Sequence, residues 1–430
     1  MKPNSVRVYL CLLSLVLNFS SRAQETDYYS DHYRRFEDFV YKENIKSVVL
    51  EQSGLKLSEP ILKLGSDESL ALSFDDLDAD NKYYAYTLIH CNADWTPSNL
   101  LQSDYLQGFS EDRITDYKAS FNTIQPYTNY RLVIPGREVR PILSGNYLLM
   151  VYPEGEPEKP VITRRMMVVE PRTVIDGVVH RATTVQDRDS KQEVDFSVAY
   201  QGLQVANPFD EIKVVIKQNG RWDNAITGLK PLFLKDNLLE YSYDDENTFS
   251  AGNEFRNFDT RTLRILTQNV KEILKGNDGY TVLLFPSESR SFKRYAVESD
   301  INGRFLIRNQ DGRDDDLEGE YVRVKVVLKH DLITDGNFYV FGSLSDWRCG
   351  PSNKMAYNYD EGTYEALLYL KQGYYDYVFA FLKDGSSGYD ETLVEGSHYE
   401  TVNEYTILVY HRQTGSRADK LVGVRKLVSR

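Results

Sequence analysis

Tyr321-Val-Arg-Val-Lys-Val-Val-Leu-Lys329 decides the fold, because Val322, Val324, Val326 and Leu328 alternate with Arg323, Lys325 and Lys329. A period of two places the apolar side chains on one face of an extended strand, and β-branched residues favour that conformation. The same pattern recurs at Val194, Phe196, Val198 and Tyr200, and at Tyr130, Leu132 and Ile134. Ile212, Val214 and Ile216 alternate with Lys213 and Lys217 ahead of Asn219-Gly220, which predicts a strand half-exposed to water that leads into a hairpin. Helical periodicity is confined to short pieces such as Thr262 to Lys275, where Leu263, Ile265, Leu266, Val270, Ile273 and Leu274 would share one broad face. The chain therefore reads as mainly β with few short helices.

Changes of composition suggest where this β structure divides. Pro153-Glu-Gly-Glu-Pro-Glu-Lys-Pro160 interrupts two apolar runs, and Val161 to Val169 resumes an extended pattern, so the interruption reads as a long hairpin. The acidic run Asp311-Gly-Arg-Asp-Asp-Asp-Leu-Glu-Gly-Glu320 reads as a solvated connection. These breaks give domains at 24–171, 172–316 and 317–430, each of the roughly 110 to 150 residues that an immunoglobulin-like sandwich needs.

Residues 1–23 read as a secretory signal peptide. Lys2 and Arg7 precede the apolar run from Val8 to Leu17, and Ser21-Arg22-Ala23 offers small residues where a signal peptidase cuts, so the mature chain is expected to begin at Gln24. That run is shorter than the about 20 apolar residues a bilayer span requires. Cys11 lacks the flanking small residues of a lipidation site, which leaves Cys91 and Cys349 as two separate buried thiols rather than a disulfide scaffold. The precursor carries a net charge of −13, and loss of Lys2, Arg7 and Arg22, with no acid among residues 1–23, takes the mature chain to −16. Such a charge excludes nucleic acid as a natural partner and repels anionic lipid head groups, so attachment to a membrane is expected to run through another protein. With 41% hydrophobic residues and 32 tyrosines the chain has ample material for a core.

Catalytic patterns are thin. His90, Asp94 and Ser98 can be drawn as a triad, yet no Gly-x-Ser-x-Gly or His-Glu-x-x-His context supports them, and the six histidines form no close pair in sequence. Cys91 reads as a core thiol. Asp75, Asp76, Asp78 and Asp80 lack the glycine-punctuated spacing of a calcium loop and read as an exposed acidic turn. The expectation is a chain with no cofactor, no metal and no enzymatic activity. Tyr83, Tyr84, Tyr127, Tyr130, Tyr374 and Tyr375 are either recognition surfaces or core residues with satisfied hydroxyls. In Gly252-Asn-Glu-Phe-Arg-Asn-Phe-Asp259, Glu254, Arg256 and Asp259 interleave with Phe255 and Phe258 as either a partner-facing anchor or an internal Arg–carboxylate clamp.

Several longer motifs follow one another in a fixed order. Tyr84-Ala-Tyr-Thr-Leu-Ile-His-Cys-Asn-Ala-Asp-Trp95, Asp104-Tyr-Leu-Gln-Gly-Phe109, Ser120-Phe-Asn-Thr123, Tyr127-Thr-Asn-Tyr130 and Ser144-Gly-Asn-Tyr147 are followed by Gly252–Asp259 and Asp300-Ile-Asn-Gly303. This series resembles the plug protein of the type IX secretion system of Bacteroidetes. The resemblance marks Trp95, Asp104, Tyr105, Gly108, Tyr127, Tyr130, Glu254, Arg256 and Asp259 as motif residues and candidate interface. It departs at Asn129, where the pattern carries a histidine. It implies a soluble, monomeric periplasmic protein without direct membrane insertion, which binds the inner mouth of a very large outer-membrane translocon barrel and seals it when no cargo is engaged.

The last third adds a second resemblance. Tyr339-Val-Phe-Gly-Ser-Leu-Ser-Asp-Trp347, Met355, Gly362-Thr-Tyr364 and Lys371-Gln-Gly-Tyr-Tyr-Asp-Tyr377 are similar to the E-set sandwich that binds starch and glycogen in α-glucan enzymes. There Trp347 is either a vestigial sugar platform, which needs an open ring face, or a core residue. A retained fold with lost sugar binding is the expectation, and an α-glucan-binding protein is the alternative function. A hydrolase ranks third and requires His90 to contact an acid and a nucleophile.

Overall fold

The computed structural model describes residues 33–429, so the expected signal peptide and Cys11 lie outside the described residues. The fold is mainly β, with three four-residue helices at Gln102–Tyr105, Pro208–Glu211 and Thr392–Glu395 among the described residues. No described helix is long and apolar enough to cross a membrane.

The first sandwich packs two sheets. One runs Ile45–Gln52, Leu70–Asp76, Thr128–Ile134, Asp116–Ala119, and the other runs Phe39–Val40, Ile162–Val169, Gly145–Pro153, Tyr84–Cys91, Glu111–Arg113. Leu70, Leu72, Phe74 and Tyr130 from one face meet Tyr147, Leu149 and Val151 from the other. The proline-rich stretch after Pro153 is the loop of an antiparallel hairpin that pairs Val151 with Ile162.

The second sandwich is discontinuous. Its first sheet holds Val174–Arg181, Lys191–Ala199, Leu238–Tyr241 and Phe233–Lys235, while its second holds Ile226–Thr227, Ile212–Gln218, Glu404–His411 and Lys420–Val428. Its core joins Val194, Phe196 and Ile216 to Tyr405, Ile407 and Val409. The third sandwich fills the interval. Arg256–Asp259 and Phe305–Ile307 pair with Gly373–Lys383 in one sheet, and Val270–Gly276, Gly279–Leu284, Tyr321–Lys329 and Thr363–Lys371 run in order through the other. Val322, Val324, Val326 and Leu328 are all wholly buried there, beneath Phe338 and Phe379.

A cut between 172–316 and 317–430 is therefore corrected by the sheets. Strands from 256 to 307 share a core with 321–396, and the C-terminal hairpin returns to the second sandwich by pairing Ile212 with His411 and Ile216 with Ile407. The acidic run 311–320 is a loop inside the third sandwich rather than a connection between domains.

Two local expectations also change. Ile212–Gln218 does not leave its lysine face in water: Val215 and Lys217 are buried, at 3% and 1% exposure, because that face packs on the first sandwich. Its turn follows the prediction, with Asn219 at φ 53° and Gly220 at φ 73°, the left-handed pair that favours tight reversal. Thr262–Lys275 is not helical. Val270–Gly276 is a strand that pairs with Gly279–Leu284 around Asn277-Asp278, while Ile265 and Leu266 are exposed. The Asn-Asp-Gly turn signal outweighs the helical spacing, since a hairpin across it pairs the whole run with a neighbour.

Candidate functional site at the junction of three sandwiches

Three of the signature residues, Trp95, Asp104 and Tyr127, lie at contacts between sandwiches. Between the first and second, Cys91, Ala93, Trp95, Leu148 and Met167 form one apolar cluster with Val215, Leu408, Tyr410 and Leu421. Trp95 meets Trp222 edge-on with ring centroids 5.0 Å apart, and the Arg165 guanidinium lies 4.5 Å above the Trp95 ring. Charge is matched as well as shape. Asp419 accepts from the Ala93 backbone at 2.9 Å and pairs with Lys213 and Arg412. Glu59 of the first sandwich holds Lys217 of the second at 2.5 Å. Burial alone would raise the Glu59 carboxyl, but Lys217 and Lys426 beside it bring its pKa down to about 2.

Between the first and third sandwiches, Asp75 receives the Lys371 ammonium at 2.7 Å, the Tyr321 hydroxyl at 2.7 Å and the Asn129 amide at 2.8 Å. Asn129, the position where the signature departs, thus serves this buried carboxylate. Tyr127 lies under Lys371, 4.2 Å from ring centroid to Nζ, and donates to the Gly319 carbonyl at 3.1 Å. Between the second and third, buried Arg221 pairs with Asp223 and Glu391 and stacks 4.4 Å from the Trp347 ring centroid.

Arg304 joins all three. From the third sandwich it donates to the Leu57 carbonyl of the first at 2.5 Å and to the Glu404 carboxylate of the second. Around it opens a cleft of about 460 Å³ lined by Arg165, Arg221, Asp346, Trp347 and Arg348 among others. Its charged side chains are already engaged: Arg348 pairs with Glu37 at 2.7 Å, Arg221 pairs with Glu391 at 2.7 Å, and Asp346 pairs with Arg164 at 3.3 Å. These contacts join the three sandwiches to one another.

The remaining expected residues have structural partners. Asp104 caps the Leu101 amide at 2.9 Å and pairs with Arg417 of the second sandwich at 2.8 Å. Tyr105 is buried beside His90. Gly108 has φ 96°, and a Cβ there would lie 2.0 Å from the Glu138 carbonyl, so only glycine fits. Tyr130 stacks on Phe74 in the first core. Glu254 accepts from the Tyr295 hydroxyl and the Val402 amide, whereas Asp259 pairs with Arg261 at 2.6 Å. Arg256 does form a clamp, but with Glu395, which lies outside the motif. Of the six tyrosines, Tyr84, Tyr127, Tyr130 and Tyr375 are buried, Tyr374 is half-buried and Tyr83 is exposed.

Four other readings meet the geometry: the triad, the thiols, the acidic turn and the sugar platform. His90 is 1% exposed and bonds the Ser144 carbonyl at 3.3 Å, while Asp94 instead accepts from Thr96, so the paper triad does not assemble. Burial lowers the His90 pKa to about 4 and raises that of Cys91 to about 12. Both cysteines are free, but only Cys91 is buried; Cys349 is half-buried, which corrects the expectation of two buried thiols. The acidic turn is not wholly exposed: Asp75 and Asp76 are buried, and Lys82 places its ammonium against Asp76, Asp78 and Asp80. Trp347 is half-buried, with the Arg221 guanidinium over its ring and Phe341 and Phe255 in edge-on ring contact with it, so at least one face of a sugar platform is already occupied.

Sequence reasoning missed Arg304, Glu59 and Arg221, and it met Lys371 only as the first residue of the sandwich motif Lys371–Tyr377, without its buried partner. Arg304 had one signal, its place directly after Asp300-Ile-Asn-Gly303; the others bond to partners between 158 and 296 residues away, or by stacking across sandwiches, without a local pattern.

Residues 45–170 match the family model described as the first domain of the type 9 secretion system plug protein. Among solved structures the chain is similar to a hypothetical protein from Parabacteroides merdae ATCC 43184, at 35% identity and TM-score 0.88, over 92% of this chain and 100% of that one. No curated protein matches it.

Proposed function

Because this chain belongs to the type IX secretion system plug protein family, we propose that it is a periplasmic plug, bound reversibly to the inner mouth of the outer-membrane translocon barrel and sealing the pore when no cargo is engaged. The family match of the first sandwich carries this reading. The physical form supports it, since occluding a wide opening calls for area and stiffness rather than for one reactive side chain. Stiffness follows from the buried ion pairs and the edge-on tryptophan pair that join the sandwiches. Docking runs through loops of the first two sandwiches, with Phe109 and Phe121 in loops of the first and Phe233 on an edge strand beside the loops of the second leaving 63%, 63% and 65% of their surface exposed. The gate performs no chemistry, and the motif residues act beneath the surface by fixing the loops that dock.

Deleting the gene in the native host tests the reading. Uptake of a large polar antibiotic normally excluded by the outer membrane should rise, and the intact gene supplied in trans should restore exclusion. Unchanged permeability with an otherwise complete translocon would count against a sealing role.

A further inference from the structure

On the outer face of the second sandwich, the strands Val174–Arg181 and Lys191–Ala199 place His180 directly across from Glu193 and diagonal to Asp195. The His180 Nε2 stands 3.0 Å from Asp195 Oδ2 and 3.7 Å from Glu193 Oε1, and one donor atom from each of the three lies within 4.8 Å of the others. A tetrahedral zinc ion with bonds of about 2.0–2.2 Å separates its ligands by about 3.3–3.5 Å, a spacing bracketed by the two distances from His180.

The surroundings fit a ligand set. His180 Nδ1 lies 2.8 Å from the Arg181 carbonyl, so a proton on that nitrogen leaves Nε2 as the lone pair facing both carboxylates. A bare lone pair against two carboxylate oxygens is repulsive, and either a proton on Nε2, which the 3.0 Å contact with Asp195 accommodates, or a cation between the three groups relieves it. Glu193 is 2% exposed and oriented by the Thr183 amide at 2.7 Å. Wholly buried Asn247 donates to Asp195 Oδ1 at 3.0 Å while its own carbonyl oxygen has no partner. The contrast with the other carboxylate cluster is instructive, because at Asp76, Asp78 and Asp80 the ammonium of Lys82 supplies the positive charge. No lysine or arginine pairs with Glu193 or Asp195 among the described residues.

We propose that His180, Glu193 and Asp195 form a binding site for a divalent cation of the zinc class. One nitrogen and two carboxylate oxygens suit zinc; calcium takes six to eight oxygens and magnesium holds most of its water. With His180 side chain 36% exposed, the fourth position faces solvent, where water or a carboxylate or imidazole of a partner completes the tetrahedron.

The test is isothermal titration of untagged, chelator-stripped protein with zinc chloride at pH 7.5, with magnesium chloride as control. One zinc per chain and no magnesium heat are expected, with affinity falling at least tenfold in Asp195→Asn and in His180→Gln. Asp195→Asn retains the shape that receives Asn247, so its fold is preserved, and circular dichroism checks this. Asp78→Asn should bind as the unaltered protein does. Absence of a one-to-one zinc isotherm would overturn the site. Binding equally strong in His180→Gln and Asp195→Asn would also overturn it. Neither result bears on pore sealing, which the deletion phenotype reads separately.

Discussion

Replacing Lys371 with alanine is expected to destabilise the protein by about 3–5 kcal/mol, the cost of leaving a buried charge without its partner. The Lys371 and Asp75 side chains are 1% and 0% exposed, and their contact at 2.7 Å bridges the first and third sandwiches. Alanine also removes the donor to the Asp316 carbonyl at 2.7 Å and the cation over Tyr127. Burial already pushes the Asp75 carboxyl up, with Lys371 opposing. Without the lysine that rise grows. A folded state that holds a proton more tightly than the unfolded one loses stability as pH increases, so the variant's deficit should be largest at neutral pH and narrow on acidification. Denaturant midpoints from pH 4 to 8 measure this. A Lys371→Met, Asp75→Asn double variant should recover much of the loss, because no charge then remains buried. Unchanged midpoints in Lys371→Ala would refute the claim that this pair locks the junction.

Glu59→Gln is the second large effect, again about 3–5 kcal/mol, because Lys217 at 1% exposure loses its counter-ion. Gly220 offers only a carbonyl at 3.2 Å and Trp222 only a ring face in its place. The pH dependence has the opposite sign to that of Asp75. Glu59 falls from an ordinary 4.5 to about 2 in the fold. Its contribution, about 3 kcal/mol at about 1.4 kcal/mol per pH unit, is complete above pH 4.5 and disappears as pH falls toward 2. The unaltered protein should therefore lose stability across that acid window more steeply than Glu59→Gln. Parallel acid unfolding curves for the two proteins would assign the stabilisation to other groups.

The strands were legible because alternation is a local property: Val322 to Leu328 names its buried face without reference to any other part of the chain. What was not legible is which strands share a sheet. Glu404–His411 reads as a strand anywhere, and nothing in its letters directs it past the third sandwich to Ile212–Gln218. In Ile212–Gln218 a period of two separates the lysine face from the core face, but it does not distinguish water from a neighbouring sandwich. Motif residues fared likewise. Trp95, Tyr127 and Arg256 were identified by the resemblance, whereas their tasks depend on Trp222, Lys371 and Glu395, far away in sequence. Trp347 shows the converse, an aromatic whose sugar-platform reading depended on an open face that Arg221 of another sandwich covers. His180, Glu193 and Asp195 escaped notice because their proximity exists only across a strand pair.

An affinity pull-down of the tagged protein from its native host envelope, followed by mass spectrometry, tests the plug assignment most directly. The account predicts a very large outer-membrane barrel as the main captured partner. Capture of only polysaccharide or small periplasmic proteins, with that barrel present in the starting envelope, would contradict it.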